Sequence, residues 1–214
     1  MTKIEQLFKK LEKEKRKALA VFLTAGYPDI KTTEKIILEI KKYADIIELG
    51  IPFSDPIADG ATIQYSSQKA LKKNINLKKI FSIVRNIRKK TNIPIVLMGY
   101  LNPIYNFGLK NFFQKAEKIG VDGLIIPDLP CEENAEIVKL AKKHKIAFIP
   151  LVSLTTEKNR AKKIAESSTG FVYVTAVTGI TGARKDVSDD LIPYLTMMRK
   201  ETKKPLLVGF GISK

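Results

Sequence analysis

One cysteine and one histidine in 214 residues leave little room for several classes of chemistry. Cys131 has no second thiol with which to form an internal disulfide, which fits a reducing compartment. His144 stands at a helix end among lysines and reads as a surface residue. Neither a multi-histidine metal site nor a Ser-His-Asp arrangement can be assembled around it. No apolar run approaches the roughly 20 residues that cross a bilayer. The opening MTKIEQLFKKLEKEKRK reads as a charged amphipathic helix with Ile4, Leu7, Phe8 and Leu11 on one stripe, not as a signal peptide. A cytoplasmic protein without a membrane partner is expected.

Acidic residues are also scarce, 22 against 38 basic ones, for a net charge of +16. The lysines are spread through nearly every predicted helix and linker and form no dominant stripe. No RNA-binding aromatic signature, zinc knuckle or helix-turn-helix pattern accompanies them, so they read as a solvated surface with no nucleic-acid partner. Such a surface still attracts phosphorylated metabolites and acidic partners.

What the chain does have is a repeating alternation. Apolar runs at Ala18–Ala25, Asp45–Gly50, Pro94–Tyr100, Gly123–Asp128, Ala147–Val152, Phe171–Val177 and Pro205–Gly211 read as strands. They are near-continuous Val, Ile and Leu, the pattern of strands buried on both faces. Helical stretches lie between them, near Thr32–Tyr43, Ile63–Lys72, Leu77–Lys90, Leu109–Ile119, Glu132–Lys143, Thr156–Glu166 and Leu191–Thr202. Such units build either an open doubly wound sheet or a (β/α)8 barrel. No GxGxxG follows the first strand, and Gly/Pro-rich polar loops follow most of the strands, as a barrel requires on its C-terminal face. The expectation is an α/β fold, a (β/α)8 TIM barrel with an extra N-terminal helix, formed by residues 1–214 as one domain. Seven strand runs are visible, so strand 8 and helix 8 are expected to be missing.

The chemistry concentrates in DIIELGIPFSDPIADGATIQ, residues 45–64, where Glu48 ends an apolar run and Asp59 sits in the turn-rich loop beyond it. No lysine lies in any strand run, which leaves a Schiff base or a pyridoxal phosphate attachment at a strand without a candidate. Carboxylate acid/base chemistry remains, with Glu48 and Asp59 as its carriers. Late in the chain, TGITGAR (Thr178–Arg184) and GFGIS (Gly209–Ser213) offer exposed backbone N–H groups after strands six and seven, where barrels commonly bind phosphate. The first of these is long and polar enough to serve as a lid.

Five loop motifs, ELGIPFSDPIADGATIQ, LMGYLNPI, GVDGLIIPDLP, FVYVTAVTGITGAR and LLVGFGIS, stand in an order and spacing that resembles the tryptophan synthase α subunit family across essentially the whole chain. The resemblance implies cleavage of indole-3-glycerol phosphate to indole and glyceraldehyde 3-phosphate without a cofactor. It implies Glu48 as general acid/base and Asp59 as acceptor of the indole N–H, with Tyr173 near the catalytic glutamate. Phe22, Tyr100, Ile125, Pro127 and Ile149 would wall the indole pocket. Thr181 and Gly182 in the lid loop, and Gly209, Phe210 and Gly211, would serve the phosphate. An α2β2 complex is implied, with pyridoxal phosphate held only by the β subunit and with Pro52, Asp55, Asn102 and Asn106 facing that partner. Two departures stand out: the family's remaining phosphate donors lie beyond Lys214, and Ala61 replaces a usual proline. The latter predicts a slightly looser loop.

Overall fold

The computed structural model describes residues 1–176 and 189–209. The strands are β1 (Ala20–Thr24), β2 (Ile46–Gly50), β3 (Ile95–Met98), β4 (Gly123–Ile125), β5 (Ala147–Ile149), β6 (Leu151–Ser153), β7 (Val172–Thr175) and β8 (Leu206–Gly209). All their pairings are parallel, in a sheet β1-β2-β3-β4-β5 and a sheet β6-β7-β8. The break between the sheets falls at Pro150, inside the run expected as one strand. Proline has no N–H to give the ladder. Its carbonyl still accepts from Tyr173 N–H at 3.0 Å, so one backbone track serves both sheets and the eight pieces follow seven tracks, as the sequence predicts. The helices are α1 (Lys3–Lys13), α2 (Ile30–Ile40), α3 (Ala61–Lys72), α4 (Leu77–Arg88), α5 (Leu101–Phe107), α6 (Leu109–Ile119), α7 (Ala135–Lys143), α8 (Lys158–Ser167) and α9 (Leu191–Glu201).

Strand period two sorts the side chains into layers. Ile47, Leu49, Ile95, Leu97, Leu124 and Phe148 point outward into a core shared with α2, α4, α6 and α7. Val172 and Val174 do the same towards α8 and α9. The alternate residues Ile46, Val96, Met98, Ile125, Ala147, Ile149, Phe171 and Tyr173 fill the interior, where Ile4, Leu7 and Phe8 of α1 join them. The N-terminal helix therefore plugs the barrel floor. A capping box between Thr2 and Glu5 starts it, and the Thr2 hydroxyl donates to the Thr169 carbonyl at 3.4 Å.

β1 and β8 are largely half-buried, whereas β2, β3, β4, β5 and β7 are buried throughout. These two strands are the sheet edges, and no pairing joins them among the described residues. A cavity of about 1790 Å³ opens between them and runs from the strand ends down to α1.

On the floor, Arg88 ties α4 to the α6–β4 turn and to the start of β3. Its Nε donates to Gly120 O at 2.7 Å, Nη1 to Ile93 O at 2.6 Å and Nη2 to Asp122 Oδ2 at 2.5 Å. Asp122 also accepts from Ile95 N–H at 2.9 Å and has Lys3 Nζ at 3.6 Å. Both side chains of the central pair are nearly buried, at 14% and 11% exposure. Removing one partner of such a pair leaves the other desolvated, so Arg88→Met should cost about 3 kcal/mol. Urea unfolding would show this as a lower midpoint at unchanged slope.

Three local expectations are corrected. α5 has no counterpart among the expected helices; it starts two residues after β3, at Leu101, with Pro103 in its first turn, where the missing N–H costs nothing. α7 begins at Ala135 rather than Glu132, so Cys131 lies in the preceding turn and not at a helix start. His144 is not a plain surface residue: its side chain is 13% exposed, stacks on Phe113 at 6.2 Å and has Nδ1 2.6 Å from Glu117 Oε2.

Candidate active site

Glu48 is an interior residue of β2 in register with Phe22 of β1 and Val96 of β3, and it is 2% exposed. The alternation that points Ile47 and Leu49 outward forces this acid inward, among apolar neighbours. Burial pushes its carboxyl up to about 7, partly offset by a hydrogen bond from the Tyr173 hydroxyl. That contact and burial raise Tyr173 well above the usual phenol range. The other carboxylate oxygen, Oε1, has no partner among the described residues, and Glu48 lines the cavity. Oε1 is thus available to a ligand.

Asp59 lines the same cavity from the loop between β2 and α3. Its N–H donates to Pro56 O at 3.2 Å, and its carbonyl accepts from Gln64 Nε2 at 2.7 Å. Burial pushes its carboxyl up to about 6, against a hydrogen bond from Tyr100. Ala61, where the resemblance expects proline, is the first residue of α3, a position at which proline is favoured in general. An Asp59 that must accept a hydrogen bond as a carboxylate predicts kcat/KM rising with pH through about 6. An initial-rate profile between pH 5 and 9 checks this; a flat acid limb contradicts it.

The remaining predicted residues divide among several places. Phe22 lines the cavity, with its ring over Gly50, where an added Cβ would come within 2.5 Å of Phe22 Cζ. Tyr173 lines it beside Glu48, and Gly209 lines it from β8. Ile125 and Ile149 are fully buried in the interior layer beneath. Pro127 lines a separate cavity of about 400 Å³ beside Cys131 and Asn134. Pro52 is buried, whereas Asp55, Asn102 and Asn106 are exposed, with Asn106 donating to Asn102 Oδ1 at 2.7 Å. Thr181, Gly182, Phe210 and Gly211 lie outside the described residues. Burial raises the Cys131 thiol above its ordinary value, which keeps it a poor nucleophile. Among the described residues no group of three His, Cys, Asp or Glu side chains could hold a metal.

Two features escape sequence reasoning. Gly209 is positioned so that an added Cβ would fall 1.9 Å from the Tyr173 hydroxyl oxygen, so the tyrosine reaches Glu48 across a residue that must lack a side chain. Tyr100, read as a pocket wall, instead turns its hydroxyl to the Asp59 loop, accepting from Ala58 N–H at 2.9 Å. Neither contact has a signature in residue type. The partners are 36 and 42 positions apart in the chain.

A parallel α/β barrel with two desolvated carboxyls on one cavity at its strand ends is the layout of a barrel enzyme working by acid/base catalysis. The tryptophan synthase alpha chain family model matches residues 8–214. A tryptophan synthase alpha chain of Caldanaerobacter subterraneus subsp. tengcongensis is 50% identical over 214 residues, covering 100% of this chain and 81% of the relative. That of Clostridium acetobutylicum is 43% identical over 212 residues, 99% of this chain and 80% of the relative. Among solved structures, the Pyrococcus furiosus tryptophan synthase α2β2 complex aligns with TM-score 0.87 and 42% identity over 92% of this chain and 79% of that one. A Mycobacterium tuberculosis tryptophan synthase aligns with TM-score 0.92 and 29% identity over 99% and 81%. The chain belongs to the tryptophan synthase alpha chain family.

Proposed function

We propose that Glu48 and Asp59 divide the work of a carbon–carbon lyase. The protein is the α subunit of tryptophan synthase and cleaves indole-3-glycerol phosphate to indole and glyceraldehyde 3-phosphate in tryptophan biosynthesis. The reaction needs a proton at indole C3 and loss of the proton from the side-chain hydroxyl next to C3. The bond between them then breaks, its electrons return to the ring, and the hydroxyl carbon becomes the aldehyde. The proton leaves oxygen and appears on carbon, so no net acid or base is consumed. Glu48, with a carboxyl near neutrality, can give the first proton and take the second. Protonation at C3 places positive charge on the ring nitrogen, which Asp59 stabilises by accepting its N–H.

The observation that carries this reading is the placement of Glu48: a buried carboxyl beside the Tyr173 hydroxyl, with Oε1 unpartnered among the described residues, on the cavity shared with Asp59. Phe22, Met98 and Tyr173 give that cavity the apolar lining an indole requires. Thr181, Gly182, Phe210 and Gly211, with Gly209, are assigned to the lid and the phosphate. No cofactor enters these steps; pyridoxal phosphate belongs to the β partner. The β subunit, in an α2β2 complex, meets the face of Asp55, Asn102 and Asn106, where Ile57 and Tyr105 expose 78% and 66% of their surface. Residues 1–214 act as one domain in the cytoplasm, and no described helix is long and apolar enough to cross a membrane.

The test is to supply indole-3-glycerol phosphate to the chain mixed with the β subunit, without serine. Indole and glyceraldehyde 3-phosphate should appear in equal amounts with no added metal or cofactor. Failure of a folded complex to release either would mean that the chain only regulates its partner.

A further inference from the structure

Tyr100 closes β3's track and is the N-cap residue of α5, so its backbone is fixed from both sides. Asp128, beyond β4, tightens this mount by accepting from Leu101 N–H at 2.9 Å. From that mount the side chain, 3% exposed, makes three contacts with the loop of residues 53–59. Its ring lies against Phe53 at 5.2 Å and 31°, its oxygen accepts from Ala58 N–H at 2.9 Å, and its hydroxyl lies near enough to the Asp59 carboxyl to favour that acid's charged form. A phenol has one hydrogen. Because the Ala58 N–H occupies an acceptor site, that hydrogen is free to point at Asp59 once the acid is ionised.

We infer that Tyr100 is a positioning residue of the reaction, which seats Asp59 over the cavity and holds it as the carboxylate that receives the indole N–H. Among the described residues, the backbone of Asp59 is also fixed by its own turn, from Asp59 N–H to Pro56 O, and by the Gln64 side chain on the Asp59 carbonyl. Neither of these orients the carboxyl group. A hydroxyl held on a fixed backbone beside that carboxyl does, and it favours the charged form.

The groups around Asp59 sharpen the consequence. Tyr100 faces it from the β3–α5 connection, Asp128 acts by charge on Tyr100, and Glu48 and Tyr173 line the same cavity as Asp59. Taking away the Tyr100 hydroxyl therefore removes a group that favours ionisation and leaves burial unopposed. The inference rests on the role proposed for Asp59, and it also predicts a change that does not depend on that role.

The experiment compares Tyr100→Phe with the unaltered chain, each mixed with the β subunit. The ring and its packing on Phe53 survive, while the hydrogen bond from Ala58 N–H and the hydroxyl beside Asp59 are lost. kcat should fall about tenfold with little change in KM, and the acid limb of kcat/KM should move to higher pH. Independently of turnover, amide exchange at Ala58 should quicken about tenfold as its acceptor disappears. Phe53→Leu is the contrasting variant: it should loosen the loop without moving the acid limb. Unchanged kcat and acid limb in Tyr100→Phe would overturn the inference. So would a displacement of the same size in Phe53→Leu, which would make Tyr100 a packing residue only. If exchange at Ala58 quickens while neither protein releases indole, the clamp exists but Asp59 lacks its proposed role, and the positioning assignment falls with it.

Discussion

Glu48→Gln reduces indole release by about a thousandfold while leaving the protein folded. General acid/base transfer contributes on the order of 10² to 10⁴ in rate, and Glu48 is assigned both proton transfers. Glutamine keeps the shape, can still accept from the Tyr173 hydroxyl, and has no proton to exchange. The same substitution should make the protein more stable at alkaline pH. Glu48 is raised from 4.5 to about 7 by burial, so between those values the unfolded chain ionises while the folded one remains protonated. The folded state then binds more protons, and its stability falls as pH rises through this window. Above pH 7 the deficit is constant at about 3 kcal/mol, because each tenfold change in proton affinity is worth roughly 1.4 kcal/mol. Below pH 4.5 it vanishes. Thermal unfolding at pH 5 and pH 8 checks both signs: the variant should gain on the wild type at pH 8 and little at pH 5. Equal rates in the two proteins would remove Glu48 from the mechanism.

Gly209→Ala should lower kcat about a hundredfold, chiefly through what its methyl group does to Tyr173. The new Cβ would stand 1.9 Å from the Tyr173 oxygen, 2.4 Å from Cζ and 2.6 Å from Cε1. Those distances are far inside van der Waals contact, so the phenol must move. The tyrosine is rigid and only 5% exposed, and it has nowhere to go but away from β8 or further into the cavity. Either route takes its hydroxyl off Glu48. Misplacement by about 1 Å at a reacting group can cost 10²-fold. Tyr173→Phe provides the comparison, since it removes the hydroxyl without moving the ring and should lose less. An alanine variant with normal kcat would mean that β8 yields instead of Tyr173, which a crystal structure of the variant would show.

The strands were legible because most bury both faces and so read as blocks of Val, Ile and Leu; β2 and β8 start within one residue of the expected limits. Pro150 was visible in the sequence, but its effect on hydrogen bonding depends on neighbours on both sides, which only the sheet supplies. α5 was missed because Pro103 and two asparagines read as a loop, although proline in a first turn is harmless. At the candidate site, Glu48 and Asp59 stand out in the sequence because an acid within an apolar run and an acid in a turn-rich loop beyond it are unusual positions. Tyr100 does not, since a tyrosine at the end of an apolar strand reads as hydrophobic wall. Its meaning lies in where its hydroxyl points, and that is set by residue 58 on another strand's loop. Gly209 likewise read as a donor in a glycine-rich turn, whereas its close approach to Tyr173 is a property of the β7–β8 pairing.

The floor plug has a consequence in time. α1 leaves the ribosome long before the groups it rests on are made: Thr2 bonds to Thr169, 167 residues downstream, and Ile4 lies against Gly170. Until those residues emerge, its apolar stripe has no seat, and it waits as an amphipathic helix kept soluble by its lysines. Docking of α1 is therefore a late event in synthesis, and contacts of such long sequence separation are slow to form.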